Sequence, residues 1–144
     1  MTPLIVDTSV TVAWLLPDEP LHQRAIALRD QIVGGSIEPI VAAHHGFELR
    51  HALVRAAQRN RCSWPAISEL LGTFDRMQMD IARDEVPDEV ALRLCRDLRL
   101  TWGDSQWVAL AMRLGLPLVT ADVRLVRAVP EEVAWVLSLG DGPA

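Results

Sequence analysis

The chain contains no lysine: all 14 of its basic residues are arginines, set against 19 acidic residues for a net charge of −5. That balance gives no global attraction to a polyanion, so a nucleic-acid ligand would need local help from metal ions or an arginine patch. Cysteine is also scarce. Cys62 and Cys95 stand far apart with no ligand-like spacing, which argues against a disulfide framework or a thiolate metal site and for two reduced, structural thiols. No apolar run approaches the ~20 residues needed to span a bilayer, and no membrane association is expected. Asp7 interrupts the hydrophobic start, and no basic segment or small-residue cleavage site flanks it. A signal peptide is therefore not expected, and the expected location is cytoplasmic. Internal repeats, low-complexity tracts and linkers are missing too. The 144 residues suffice for one domain with a substantial core and not for two, so residues 1–144 read as a single domain.

What is present is largely apolar. Half of the residues are hydrophobic and mean hydropathy is +0.17, as in a globular chain rather than a disordered one. Residues 3–7 read as a short buried strand and residues 9–16 as an apolar helix that stops at Pro17-Asp18-Glu19-Pro20. An amphipathic helix follows over 21–33, ending at Gly34-Gly35, then a strand over 38–42 and a strong helix over 45–60. Ser63-Trp64-Pro65 starts another helix, with serine as N-cap and proline in the first turn. A strand with poor alternation is placed near 77–82, helices over 87–100 and 104–114, the latter closed by Gly115. A strand over 116–120, a short helix over 123–128 and a strand over 133–139 complete the chain. Short strands apolar on both faces and separated by helices argue for a three-layer α/β/α fold around a mostly parallel sheet. In such sheets the site lies beyond the carboxyl ends of the strands.

Four carboxylates stand where such a site would form: Asp7, Glu48, Asp104 and Asp122. Asp7 closes Leu4-Ile5-Val6 and has the alternative of capping the next helix, a task open to Thr8 and Ser9 as well. Glu48 borders the buried stripe of its helix, and its plain reading is a surface pair with His51 or Arg55. Asp104 fits a capping box opened by Thr101, yet it shares a face with Trp107, Val108 and Ala111. Asp122 follows a buried strand, where cap and turn roles are both open. Brought together, uncompensated carboxylates resist joint ionisation and suit a hard divalent cation, Mg2+ or Mn2+, better than zinc. His44-His45 and His51 offer a weaker zinc reading, since adjacent histidines point in different directions. Arg50, Arg55, Arg59, Arg61, Arg124 and Arg127 read as a solvated face or as phosphate contacts beside the metal.

Taken in order, four segments carry a resemblance: Ile5-Val6-Asp7-Thr8-Ser9-Val10, Phe47-Glu48-Leu49-Arg50-His51-Ala52-Leu53, Gly103-Asp104-Ser105-Gln106-Trp107-Val108-Ala109-Leu110-Ala111 and Leu118-Val119-Thr120-Ala121-Asp122-Val123-Arg124-Leu125. Each is short, but their order and spacing over nearly the whole chain resemble the PIN-domain family and, within it, the VapC-type toxin ribonucleases. The chain departs from the family's frequent Asn at His51, Tyr at Trp107 and small residue at Ser105. The resemblance implies a PIN-like α/β/α fold and Mg2+- or Mn2+-dependent hydrolysis of RNA phosphodiester bonds. Asp7, Asp104 and Asp122 are the implied metal ligands, direct or through water; Glu48 completes the set or orients the attacking water, with Thr8, Ser9 and Thr120 behind them. A small cognate VapB-like antitoxin protein and a homodimer are the implied partners, with residues 17–33 and 61–76 as candidate interface surfaces.

Two other readings compete. Phosphatases that use an aspartate nucleophile after a first strand carry a second Asp two residues on, where this chain has Ser9. A non-catalytic PIN-like module that binds RNA or protein is expected to have lost one or more acids, and all four stand here.

Overall fold

The structure, a computed structural model, describes residues 1–141; the last three residues of the expected domain lie outside this range. Five strands and seven helices alternate in the order β1 (Thr2–Val6), α1 (Thr8–Leu15), α2 (His22–Val33), β2 (Ile37–Val41), α3 (His45–Gln58), α4 (Trp64–Asp75), β3 (Asp80–Ile81), α5 (Asp88–Leu98), α6 (Trp102–Leu114), β4 (Leu118–Thr120), α7 (Val123–Ala128) and β5 (Val136–Ser138). A 3-10 turn, Leu139–Asp141, follows.

The strands form one sheet in the order β3-β2-β1-β4-β5. Every pairing is parallel, which goes further than the mostly parallel sheet expected from sequence. Each return to the sheet's starting edge needs a crossover, and the helices supply it. Side-chain alternation along β1 divides the core. Leu4 and Val6 join Val10, Trp14, Leu28, Leu49 and Leu53 on the face covered by α1–α4. Ile5 points the other way, into Leu94, Trp107, Val108, Leu118 and Leu125 on the face covered by α5–α7. With both faces covered, the central strands carry no polar side, and that is why they read as unbroken apolar runs.

Local signals fix several helix ends. The Ser63 hydroxyl accepts a hydrogen bond from the Ala66 N–H at 3.3 Å, with Pro65 in the first turn of α4. Gly115 closes α6 in a left-handed conformation, φ +64°, that an L side chain rarely adopts. Several boundaries differ from expectation: β2 starts and ends one residue earlier, α3 ends at Gln58, β4 is confined to Leu118–Thr120 and β5 to Val136–Ser138, and three further differences have a local cause. Helix α6 begins at Trp102, two residues before Asp104, because the Thr101 hydroxyl caps it by accepting the Asp104 N–H at 3.1 Å. Helix α5 stops at Leu98, since Arg99 turns to φ +57°. Strand β3 shrinks to two exposed residues after Gln78 takes φ +50°, so the sheet ends on a very short edge that offers little for another chain to pair with.

The topology has a direct consequence for function. Successive strands run outward from β1 to β3 on one side, and β4 then returns to the other side of β1. A crevice opens where the direction reverses, beyond the carboxyl ends of β1 and β4. The next residue after β1 is Asp7, and two residues after β4 comes Asp122. The register Val6↔Val119 and the hydrogen bond from Asp7 N–H to Val119 O, at 3.0 Å, hold the two strand ends level.

Candidate active site

Asp7 occupies the N-cap position of α1, but its carboxylate makes no cap hydrogen bond. Instead Oδ2 accepts from the Ser9 hydroxyl at 2.6 Å and from the Thr120 hydroxyl at 2.8 Å. Thr8 and Ser9, expected as alternative caps, are likewise engaged elsewhere. Thr8 Oγ1 donates to Glu48 Oε1 at 2.9 Å, while Ser9 Oγ accepts from the Ala121 N–H at 2.9 Å. Thr120 Oγ1 in turn accepts the Asp122 N–H at 3.1 Å. Two hydroxyls thus tie the end of β1, the start of α1 and the turn after β4 into one hydrogen-bonded unit around a buried carboxylate.

Burial is what governs that carboxylate. The Asp7 side chain is 6% exposed, and desolvation pushes its pKa up to about 6; the Ser9 and Thr120 hydrogen bonds pull down, and the charges of Asp104 and Glu48 push up further. The same cause leads at Asp104. Burial raises its pKa first, then the charge of Asp122, against a lowering hydrogen bond from Thr101; Glu48 raises it further and Arg124 lowers it. Asp7, Glu48, Asp104 and Asp122 are therefore electrostatic neighbours, drawn from four separate parts of the chain.

Glu48, in the first turn of α3, is held from several directions. Its Oε1 accepts from Thr8 Oγ1 and from the indole N–H of Trp107 at 2.8 Å, and His44 Nε2 lies 3.3 Å away. The pairing with His51 or Arg55 that its helix spacing suggested does not form: both side chains are exposed. His44 stands beside Glu48 as a histidine neighbour of the acids. His45 turns the other way, buried against Thr11 at 3.0 Å and Phe74, and burial lowers its pKa to about 4. The two adjacent histidines diverge as expected. Asp122 keeps its cap role as well as its place at the rim: Oδ1 accepts the Arg124 N–H at 2.9 Å, with Arg124 Nε at 3.4 Å.

The Thr101 cap forms as its spacing suggested, whereas Trp107 and Gly103 contribute in ways that sequence reasoning missed. Trp107, expected on one face with Asp104, is fully buried, and its N–H also fixes Glu48. A Cβ on Gly103 would stand 2.8 Å from Glu48 Oε2, so a side chain there would force that carboxylate to move. The signal was present: Gly103 and Trp107 flank Asp104 within a single helical turn. Of the arginines, Arg61 is committed to Asp18 and Glu19, each at 2.8 Å, and is not free to meet a phosphate. Arg124 projects into solvent at the rim.

The donor set is all oxygen and negative, and among the described residues no buried cation neutralises it. These residues fit a hard divalent ion in chemistry. Among the described residues, however, no three His, Cys, Asp or Glu side chains are gathered into a ready-made metal cage.

Residues 4–130 match the PIN domain. The chain belongs to the PIN-domain family, a family generally dependent on divalent metal. No curated protein sequence matches it. Among solved structures, it resembles PAE2754 from Pyrobaculum aerophilum, with 22% identity, a TM-score of 0.69, and 96% of this chain and 92% of that one covered. It also resembles a chain of VapBC2 from Rickettsia felis, solved bound to a DNA fragment from its promoter, at 11% identity and TM-score 0.68, covering 95% and 98%. VapC20 of Mycobacterium tuberculosis, a toxin that cleaves the sarcin–ricin loop, aligns at 16% identity and TM-score 0.61 over 87% and 94%. At these identities the likeness is one of fold.

Proposed function

We propose that this chain is an endoribonuclease dependent on Mg2+ or Mn2+, and the toxin component of a type II toxin–antitoxin pair of the VapC kind. The observation that carries the reading is the state of Asp7. Its carboxylate is buried, held by two hydroxyls rather than by a cation, and set among other acids that raise its pKa. Such a cluster is costly in an isolated protein and is relieved by a bound dication.

Asp7, Asp104 and Asp122 are assigned as the groups that hold the ion, directly or through water, and Glu48 as the group that completes the set or orients the attacking water. A bound divalent ion supplies positive charge for the phosphate oxygens and makes water a competent nucleophile near neutral pH. The protein's own work is positioning. Ser9 and Thr120 aim Asp7, Thr8 and Trp107 aim Glu48, and the Thr101 cap starts α6 so that Asp104 falls in its first turn. Arg124, exposed at the rim, is placed to meet RNA phosphate.

The partner reading has independent support in the fold. The fold is shared with VapBC2 and with FitAcB of Neisseria gonorrhoeae, the latter 16% identical with a TM-score of 0.57. A small antitoxin protein and a homodimer are proposed here on that likeness, with α2 and α4, which carries the exposed Trp64, as contact surfaces. No helix among the described residues is long and apolar enough to cross a membrane, and a cytoplasmic location is part of the proposal.

The test is cleavage of single-stranded RNA by the wild type and Asp7→Asn, with Mn2+, with Mg2+ and with EDTA. Metal-dependent cleavage that Asp7→Asn abolishes is the expected result. Full activity in Asp7→Asn, or no cleavage by the wild type with either metal, would leave a non-catalytic binding module as the better account.

A further inference from the structure

Beside the carboxylates, α3 and α6 enclose a hollow of about 400 Å³ lined by Ala42, His44, Phe47, Glu48, Trp102 and Gln106 among others. Glu48 belongs to both places, so the hollow opens directly onto the candidate active site. Two polar atoms in its walls are buried and have no hydrogen-bond partner: His44 Nε2 and Gln106 Nε2. His44 Nε2 approaches Glu48 Oε1 to 3.3 Å without completing a hydrogen bond. Folded proteins leave few such atoms unpaired, and both stand on residues that line this hollow, so a small side-chain rotation would offer them to a ligand there.

The remaining walls narrow the ligand's chemistry. Phe47 is 77% exposed and Trp102 is 48% exposed, which places two aromatic faces in solvent beside the pocket. The charged lining residues are Glu48 and Asp84, the latter 3.7 Å from Arg113; no arginine lines the hollow among the described residues. A phosphate would be repelled there. A neutral, flat ring with N–H donors on its edge is favoured, because it can stack on the aromatics and donate hydrogen bonds to the carboxylates. The Gln106 carboxamide offers both a donor and an acceptor to such an edge. A hollow of this size takes one planar ring, not a helix, whose diameter alone is about 10–12 Å.

We propose that this hollow binds one unpaired nucleobase of a single-stranded RNA, from a nucleotide adjacent to the bond that is cut. Trp102 and Phe47 stack on the base, and Gln106 and His44 read its edge. The inference rests on the ribonuclease reading above and adds to it the source of nucleotide preference. Unpaired bases are the part of RNA that aromatic faces and amide edges can read.

The experiment uses single-stranded RNA oligonucleotides with non-cleavable backbone linkages, carrying 2-aminopurine at one position at a time, titrated with protein in Mn2+ so that the acids are neutralised and binding is measured without cleavage. Wild-type protein is expected to quench one position strongly. Trp102→Phe keeps the quenching, whereas Trp102→Ala and Gln106→Ala weaken binding about tenfold, the scale of one lost stacking or edge contact. Far-UV circular dichroism confirms that the variants are folded. With Mn2+ present, cleavage maps of a mixed-sequence RNA are expected to show that Gln106→Ala relaxes the preference at the quenched position. Equal quenching in Trp102→Ala, or an unchanged cleavage map in Gln106→Ala while the wild type cuts RNA, overturns the base pocket and leaves the ribonuclease standing. Variants that lose binding of a protein partner but treat RNA as the wild type does overturn it too. A wild type that neither binds nor cuts RNA defeats both readings.

Discussion

The indole N–H of Trp107 reaches Glu48 Oε1 at 2.8 Å across a sequence separation of 59 residues. This one bond joins the two faces of the molecule. Trp107 is packed among the residues under α5–α7, while the helix that carries Glu48 buries Leu49 and Leu53 under α1–α4. The position of the acid is therefore set from the core. A hydrogen bond to a charged group is worth about 1.5–3 kcal/mol. Trp107→Phe, which keeps an aromatic ring and removes the donor, is expected to lower kcat for RNA cleavage at least tenfold. Thr8→Val removes the second donor, at 2.9 Å, and is expected to act in the same direction. Steady-state kinetics checks both; unchanged kcat in the pair would mean that Glu48 needs no such support.

Gly103 makes a sharper case, because nothing is removed. An added methyl would stand 2.8 Å from Glu48 Oε2, and that carboxylate has little freedom to retreat while Thr8 and Trp107 hold its other oxygen. In a helix, alanine is intrinsically favoured over glycine by about 1 kcal/mol. Gly103→Ala is thus expected to leave the urea midpoint within a small margin of wild type while cutting RNA cleavage tenfold or more. Parallel loss of stability and activity would point to general disruption instead.

Asp7 predicts a pH dependence of stability with a definite sign. Its pKa rises from 3.8 to about 6 in the fold, chiefly through burial. The folded protein therefore holds a proton that the unfolded chain releases. The associated stability is present in full below about pH 4 and is lost as pH rises through about 6. For metal-free protein, Asp7→Asn should be more stable than wild type at pH 7.5, by about 2 kcal/mol, and the difference should vanish near pH 4. Urea unfolding in EDTA at the two pH values checks this; a wild type that is the more stable at pH 7.5 contradicts it.

Arg61 provides the contrast. It bridges Asp18 and Glu19 from 42–43 residues away, each at 2.8 Å, at a partly exposed position away from the acids. Such pairs contribute little in water. Arg61→Ala is expected to cost no more than about 1 kcal/mol in unfolding experiments and to leave RNA cleavage unchanged. A large loss of cleavage would return Arg61 to the phosphate-binding role considered from the sequence.

Residues that report their own surroundings were the ones legible in advance. Asp7 and Asp122 end short runs that are apolar on both faces, and a parallel sheet with helices on both sides places such ends together. Ser63, Thr101 and Gly115 announce helix ends by chemistry that is local to the turn. The contacts of Glu48 were not legible. Helical spacing proposed His51 and Arg55, whereas tertiary packing supplied Thr8 and Trp107, 40 and 59 residues away. Period-based reading sees neighbours on one helix and is blind to the helix across the crevice. Strand β3 was misjudged in extent for a similar reason: its end is set by the left-handed turn at Gln78, a non-glycine residue that gives no such warning. Gln106 looked like an ordinary helix residue until α6 was laid beside α3, and Trp102 lay before the start of the helix expected over 104–114.

The central claim is that Asp7, Glu48, Asp104 and Asp122 form a binding place for a hard dication. Calorimetric titration of Mn2+ into metal-free protein tests it most directly, at pH 7.5 and again at pH 5, where protons compete for Asp7. The account predicts saturable binding at pH 7.5 that weakens about tenfold or more at pH 5 and disappears in Asp7→Asn and in Asp104→Asn. Equal binding by wild type and both variants, or none by the wild type, would contradict it.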